Sequence, residues 1–122
     1  MSPEETWAAE DAAHAEFFDH VARALPGYPD ELPAAWRAFR SQAKQRMVAG
    51  WGTFGLAYRD RDNSAEGLEE LADFGNYQFF DVQVARLLGE DEEIDTALMA
   101  VYHSYLAYHF TCLHNARRQG AP

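Results

Sequence analysis

The sequence predicts an all-α fold: a bundle of four main helices in a single domain spanning residues 1–122. Apolar residues recur at spacings of three and four along four long segments, which is the period of an amphipathic helix. Typical helix-starting and helix-stopping residues bracket these segments, and no stretch alternates apolar and polar residues as a strand does. With 48% hydrophobic residues, a chain of this length can bury one modest core.

The first two helices are delimited by residues typical of helix ends. Helix one opens with the capping box Ser2-Pro3-Glu4-Glu5, and Pro26-Gly27 is expected to stop it after Leu25. Helix two is expected to begin around residues 30–33 and to end at Gly50. The apolar positions that define these helices are Trp7, Phe18, Val21 and Leu25, followed by Trp36, Phe39, Ala43 and Met47.

A connection rich in glycine and aromatic residues, residues 50–62, separates helices two and three. Such a composition predicts a packed loop, and packed loops of this length are often functional. Helix three is expected to start at Asn63 or Ser64, with Asn63 and Glu66 as a variant capping box, and to end before Gly89. Helix four is expected to start in the acidic segment 90–95 and to run to about Arg118.

Composition excludes several classes of partner. The net charge of −10 argues against general nucleic-acid binding and against an anionic membrane surface. The N-terminal residues are acidic and polar rather than basic and apolar, and no apolar run reaches the length of a bilayer crossing, so we expect a cytoplasmic protein. The only cysteine, Cys112, lies in an aromatic stretch and is expected to be a buried, inert thiol. An aromatic content of 14% is more than one chain readily covers, which favours a homo-oligomer, and we expect a homodimer.

Carboxylates cluster in the first turns of helix three. They are Glu66, Glu69, Glu70 and Asp73. On a helical wheel this side of the helix turns apolar further along, through Tyr77, Phe80 and Val84, so we expect the acids to face a groove with an aromatic floor. Carboxylates crowded in such a groove repel one another, and Mg²⁺, which proteins hold through a few carboxylates and substrate phosphates, relieves the repulsion. Alternatively, Glu66 caps helix three and the other acids stabilise its N-terminus through the helix dipole.

Basic residues are concentrated immediately before these carboxylates. Six of the ten lie between positions 37 and 61: Arg37, Arg40, Lys44, Arg46, Arg59 and Arg61. A triphosphate needs a metal ion and cationic donors side by side, so Lys44, Arg59 and Arg61 are candidate phosphate contacts. Each of the three also suits a solvated helix face that balances charge.

The segment Glu69-Glu70-Leu71-Ala72-Asp73, followed by Asn76-Tyr77, resembles the E-E-x-x-D/E and E-x-x-D helices of the all-α NTP pyrophosphohydrolases, the superfamily that includes MazG. The resemblance covers residues 59–95, about a third of the chain. It implies an oligomerising helical bundle in which carboxylates of two helices hold Mg²⁺, or Mn²⁺ in its place. The implied reaction is hydrolysis of a nucleoside triphosphate to the monophosphate and pyrophosphate.

This resemblance assigns roles to individual residues. The implied catalytic and metal-holding residues are Glu69, Glu70 and Asp73, with Glu92 and Asp95 as further metal ligands. Glu66, the first carboxylate of the cluster, is expected to act with them as a catalytic and metal-holding residue. If Glu70-x-x-Asp73 is instead the second acidic motif, the upstream carboxylates are Glu16 and Asp19. From their positions in the sequence, we expect Asn76 to bind the base or ribose, and Trp51, Phe54 or Tyr58 to stack on the base.

Three other interpretations compete with the hydrolase. Helices one and four carry all the histidines, which facing helices of a bundle can use to hold a metal. They are His14, His20, His103, His109 and His114. His109, however, falls on an apolar stripe and is expected to be a core residue, and an activated Cys112–His109 pair is less favoured still. The main alternative is a noncatalytic, dimeric, acidic helical module that binds another protein.

Overall fold

The computed structural model of the chain describes residues 2–90 and 94–120. These residues form α1 (Pro3–Ala22), α2 (Ala34–Phe54), a short 3-10 helix (Ala57–Asp60), α3 (Asn63–Leu88) and α4 (Ile94–Arg118). No strand occurs in this part of the chain, so the predicted all-α fold with four main helices is confirmed. None of these helices has an apolar stretch long enough to cross a bilayer. The chain divides into two compact units, Met1–Ala57 and Tyr58–Pro122.

The start of α1 is the predicted capping box. The Glu5 N–H donates to the Ser2 hydroxyl oxygen at 3.1 Å, and the Ser2 N–H donates to the Glu5 carboxylate at 3.3 Å. The helix ends at Ala22, three residues before the predicted end. There the N–H groups of Ala24 and Leu25 bond to carbonyls three residues back, which tightens the chain into turns.

The predicted end of helix two at Gly50 is wrong. α2 continues through Gly50 and Gly52 to Phe54, where Gly55 caps it with a φ of +57°. A glycine inside a helix costs about 1 kcal/mol relative to alanine. Trp51 follows the first of these glycines and packs on Trp7 with ring centroids 5.0 Å apart, so tertiary contact offsets the cost. The predicted loop over residues 50–62 is therefore reduced to a connection over 55–62 that contains the 3-10 helix.

The first unit is an antiparallel hairpin of α1 and α2, held by aromatic and ionic contacts. Trp7 of α1 meets Trp51 near the open end of the hairpin, and Phe18 lies 6.0 Å from Trp36 near the turn. Two ion pairs also join the helices, Asp11 to Lys44 at 3.1 Å and Asp19 to Arg40 at 2.6 Å. Acids of α1 thus neutralise bases of α2 along the hairpin.

Arg40 should be the ionic residue that stabilises this hairpin most. Its guanidinium donates to the Asp19 carboxylate and, at 3.2 Å, to the Ala15 carbonyl, and its side chain is only 31% exposed. Partial exposure limits the contribution of such bonds, so Arg40→Ala is expected to lower the free energy of unfolding by about 1–2 kcal/mol in a urea titration. Arg46→Ala is the control, since Arg46 lies exposed on the same helix, and a change beyond about 0.5 kcal/mol is not expected there. Equal losses in both variants would contradict the assignment.

The second unit is the hairpin of α3 and α4, which pack side by side. The side chain of Asp62 caps α3 by accepting the Ala65 N–H at 3.0 Å. The predicted cap, Asn63, instead donates its side-chain amide to the Tyr58 carbonyl at 2.8 Å, which ties the 3-10 helix to the start of α3. The left-handed Gly89 ends the helix after Leu88, as predicted.

The helices bury little apolar surface. The less exposed side of α3, which packs towards α4, carries Leu68, Leu71, Gly75, Val82 and Ala85. Ala22 and Ala85 are the only apolar side chains among the described residues that are buried. Most of the large aromatic and aliphatic side chains therefore remain at least partly exposed in the single chain.

Candidate functional site

The four predicted site carboxylates lie together in the first three turns of α3. We call Glu66, Glu69, Glu70 and Asp73 the acidic quartet. Their spacings of three and four residues place them along one side of the helix, and all four are exposed. Like charges one turn apart repel by a few tenths of a kcal/mol, and the positive end of the α3 dipole partly offsets this near the helix start.

Only one member of the quartet has an ionic partner among the described residues. Arg61 places a guanidinium nitrogen 3.9 Å from the Glu66 carboxylate, with both side chains partly exposed. The side chains of Glu69, Glu70 and Asp73 make no hydrogen bond or ion pair within residues 2–90 and 94–120. In the same ranges, no three His, Cys, Asp or Glu side chains converge closely enough to hold a metal ion. The quartet is thus a row of solvated oxygen donors rather than a closed cage.

The expected groove with an aromatic floor does not surround the quartet in the single chain. The side of α3 that carries the acids does turn apolar through Tyr77, Phe80 and Val84, but these three side chains are exposed, as are the acids. The reason is geometric: α3 packs on α4 through its opposite side. The expectation of partly desolvated carboxylates is therefore wrong for the single chain.

Two predicted phosphate contacts lie immediately before the quartet in the same unit. Arg59 belongs to the 3-10 helix, and its guanidinium carbon lies 6.0 Å from the Tyr58 ring centroid. The Arg61 guanidinium lies beside the Glu66 carboxylate. The bond from Asn63 to the Tyr58 carbonyl fixes this segment against the start of α3. Tyr58, the arginines and the first carboxylate are thus held in one short, structured stretch.

Two other predicted substrate contacts lie in the first unit, where the structure gives them contacts with α1. The ammonium of Lys44 pairs with Asp11, although its side chain is 54% exposed. Trp51 is half-buried against Trp7. Both contacts were missed from the sequence. The Lys44–Asp11 pair did have a signal there, because an antiparallel hairpin brings the acids of helix one next to the bases of helix two.

The remaining predicted site residues lie outside the acidic quartet and the segment before it. Asn76 is exposed on α3 one turn after the quartet, and Asp95 is exposed in the first turn of α4. Glu92 lies outside the described residues. Of the upstream alternatives, Glu16 is exposed and Asp19 is paired with Arg40.

The predictions for Cys112 and His109 are wrong, because both side chains are exposed. α4 packs towards α3 through positions such as Val101 and Ser104, which turns the side of His109 outwards. His14 stacks on Phe18 within the first hairpin, with ring centroids 4.5 Å apart. No group of histidines forms a metal site in the part of the chain that the structure describes.

An apolar groove between α3 and α4 was not foreseen from the sequence. It has a volume of about 410 Å³ and is lined by Leu71, Ala72, Gly75, Val101, Ser104, Tyr105 and Tyr108. Its signal in the sequence is the small residues on the facing sides of both helices, which leave space where larger side chains would fill the seam.

No protein family, curated protein or solved structure matches the chain in comparisons with known proteins.

Proposed function

We propose that this protein is a Mg²⁺-dependent nucleoside triphosphate pyrophosphohydrolase that acts as a homo-oligomer. The observation that carries the proposal is the acidic quartet: exposed carboxylates on one side of α3, with arginines directly before them. Three of the four carboxylates have no ionic partner among the described residues, although they lie close enough along the helix to repel. An arrangement that leaves carboxylates uncompensated is expected where a cation completes it.

The carboxylate oxygens of the quartet are the type of ligand that Mg²⁺ prefers. Mg²⁺ prefers carboxylate oxygens and usually keeps several waters, so one or two carboxylates with substrate phosphates can hold it. When bound, the ion would neutralise charge on the phosphates and lower the pKa of an attacking water. Glu70 and Asp73, one turn apart, are the proposed ligands. Glu66 and Glu69 are the proposed acceptors for the proton of the attacking water.

The cationic side chains complete the proposed site from the N-terminal end of α3. Arg61 would donate to phosphate oxygens beside Glu66, and Arg59 would neutralise the remaining phosphate charge. Asn76, one turn beyond the quartet, is the proposed contact to the base or ribose, and Tyr58 the proposed stacking partner. Lys44 and Trp51 belong to the first unit, where each has a contact on α1, and they are not part of the proposed site.

The direct test is a screen of ribo- and deoxyribonucleoside triphosphates with Mg²⁺, in which pyrophosphate and orthophosphate are measured separately. Pyrophosphate release from one or more nucleotides is expected. Orthophosphate release alone would contradict the proposed cleavage position, and no turnover of any nucleotide with Mg²⁺ or Mn²⁺ would overturn the proposal.

Millimolar Mg²⁺ is expected to raise the melting temperature of the protein, because an ion that binds only the folded state stabilises it by mass action. At an ion concentration 100 times the dissociation constant, the gain is about 2.7 kcal/mol. NaCl at matched ionic strength controls for screening of the quartet's repulsion. The double variant Glu70→Gln, Asp73→Asn should lose the Mg²⁺ response and keep the NaCl response. A response to Mg²⁺ that survives in this variant would place the ion elsewhere.

A second function, a noncatalytic dimeric interaction module, is favoured by a different observation. Large apolar side chains are exposed on both hairpins, and a contiguous apolar surface commonly marks a protein interface. The two proposals differ in their response to Mg²⁺ and nucleotide, since the module requires neither.

A further inference from the structure

One side of α4 carries a row of exposed apolar and aromatic side chains along its length. We call this set the α4 stripe; it consists of Leu98, Tyr102, Tyr105, His109 and Leu113. Successive members are three or four residues apart, so they form one continuous row along the helix. Tyr102 and Tyr105 are 55% and 59% exposed. A row of this kind is the surface that one helix presents to another.

The groove between α3 and α4 lies beside this stripe. Tyr105 belongs to both, and the groove floor is made of the small residues Ala72, Gly75 and Ser104. A Cβ atom added at Gly75 would meet no other atom within 4 Å, so this part of the floor is open. Phe79 lies one turn beyond Gly75 and is itself exposed. This side of the hairpin therefore presents a ridge and a hollow next to each other, as helix packing of ridges into grooves requires.

We propose that a second copy of the chain packs on this side of the hairpin, with the two α4 helices antiparallel and in contact along their stripes, so that the groove of each copy lies at the edge of the seam. The proposal rests on the homo-oligomeric part of the proposed function and does not depend on nucleotide hydrolysis.

The order of residues in the stripe is self-complementary in an antiparallel pair. With the two-fold axis beside Tyr105, each copy's Leu98 faces the second copy's Leu113, and each Tyr102 faces the second copy's His109. Both copies use the same surface, as a two-fold symmetric interface requires. Leucine meets leucine at the ends of the seam, and aromatic rings meet near its centre.

Charge selects the antiparallel direction. The first turn of α4 carries Asp95 and its last turn carries Arg117 and Arg118. An antiparallel pair brings each acidic end to the second copy's basic end and aligns opposite helix dipoles. A parallel pair would place like charges together at both ends, which disfavours it.

The exposed area is consistent with a dimer. Aromatic side chains bury about 150–250 Å² each, so the exposed parts of Phe79, Tyr102 and Tyr105 (55%, 55% and 59%) amount to roughly 340 Å². One partner of a standard interface contributes about 800 Å². Leu98, His109, Leu113 and the groove walls supply much of the remainder. A dimer that forms at micromolar concentrations is the expected result.

Sedimentation equilibrium of the full chain tests the proposal, with Tyr102→Asp as the variant and Phe110→Asp as the matched control. Phe110 is also an exposed aromatic residue of α4, 63% exposed, but it lies outside the stripe. The wild type and Phe110→Asp are expected to be dimers. Tyr102→Asp is expected to weaken dimerisation at least about 100-fold, because each dimer would bury two carboxylates in an apolar seam. Circular dichroism shows whether both variants keep their helices.

A monomeric wild type would overturn both this proposal and the homo-oligomer, leaving hydrolysis to be judged by the nucleotide screen alone. An oligomer that Tyr102→Asp does not weaken, or that Phe110→Asp weakens equally, would overturn the α4 interface only.

Disulfide trapping tests the direction of the pair. Tyr102→Cys and His109→Cys chains, both in a Cys112→Ser background, are mixed and oxidised. An antiparallel pair should crosslink position 102 to position 109, because a disulfide needs Cα atoms within about 7 Å. Two copies of position 102 would lie about 10 Å apart along the seam. Preferential 102–102 crosslinking would show a parallel pair and overturn the proposed geometry.

Discussion

Replacing Asp73 by asparagine is expected to lower kcat/KM for the nucleotide by about 100-fold or more while leaving the fold unchanged. Metal-assisted stabilisation of transition-state charge is worth several kcal/mol, and each 1.36 kcal/mol corresponds to a factor of ten in rate. Asparagine keeps the shape of the side chain and removes its charge. Asp73 is exposed and has no ionic partner among the described residues, so the melting temperature without metal should hardly move. Steady-state kinetics of pyrophosphate release measure the effect.

Asp81→Asn is the matched control for this substitution. Asp81 is also an exposed carboxylate on α3, but it lies two turns beyond the quartet. It should retain wild-type kinetics if the effect of Asp73→Asn comes from metal binding rather than from the net charge of the helix. Higher Mg²⁺ should partly restore Asp73→Asn if its defect is in affinity for the ion. Equal losses in the two variants would point to a general electrostatic effect and contradict the assigned ligand role.

Local chemistry fixed the helix boundaries that the sequence predicts correctly. Ser2 and Glu5 form the predicted capping box, and Gly89 ends α3 in the left-handed conformation. In both cases, residues within one turn of the helix end satisfy its free backbone groups. The boundary at Gly50 could not be predicted in this way, because contact between Trp51 and a residue 44 positions earlier decides it. Local propensity is a weak prior where such tertiary contacts form.

The placement of the candidate site was also predicted correctly only where local sequence decides the structure, and not where tertiary contacts do. Helical period alone puts the acidic quartet on one side of α3, and the structure has the four exposed together there. The helical period of apolar residues does not show whether an apolar stripe packs within the chain or remains exposed for contact with a second chain. Tyr77 and Phe80 were therefore expected to line a groove, and His109 to lie in the core, whereas all three side chains are exposed. The contacts that Lys44 and Trp51 make with α1 also join residues distant in sequence, so local patterns do not predict them.

Replacing Gly27 by alanine is expected to destabilise the first hairpin strongly. Gly27 has a φ of +83°, a conformation that costs an L-residue roughly 1–2 kcal/mol. A Cβ atom at this position would also come within 2.1 Å of the Glu31 carbonyl oxygen, so backbone must move. That movement would disturb the hydrogen bond that the Glu31 N–H donates to the Gly27 carbonyl at 2.7 Å. The combined loss is expected to be about 3 kcal/mol, or roughly 10 °C in melting temperature.

Gly52→Ala in the same unit separates this effect from a general response to replacing glycine. Gly52 lies inside α2, and an added Cβ would meet nothing within 4 Å. Alanine there should stabilise the helix by roughly 0.5–1 kcal/mol, because it reduces the backbone entropy of the unfolded chain. The two glycine-to-alanine variants should thus shift the thermal unfolding transition in opposite directions. If Gly27→Ala instead melts at or above the wild-type temperature, the connection between α1 and α2 does not form the tight turn at Gly27. The register of α1 against α2, which depends on this turn, would then also be different.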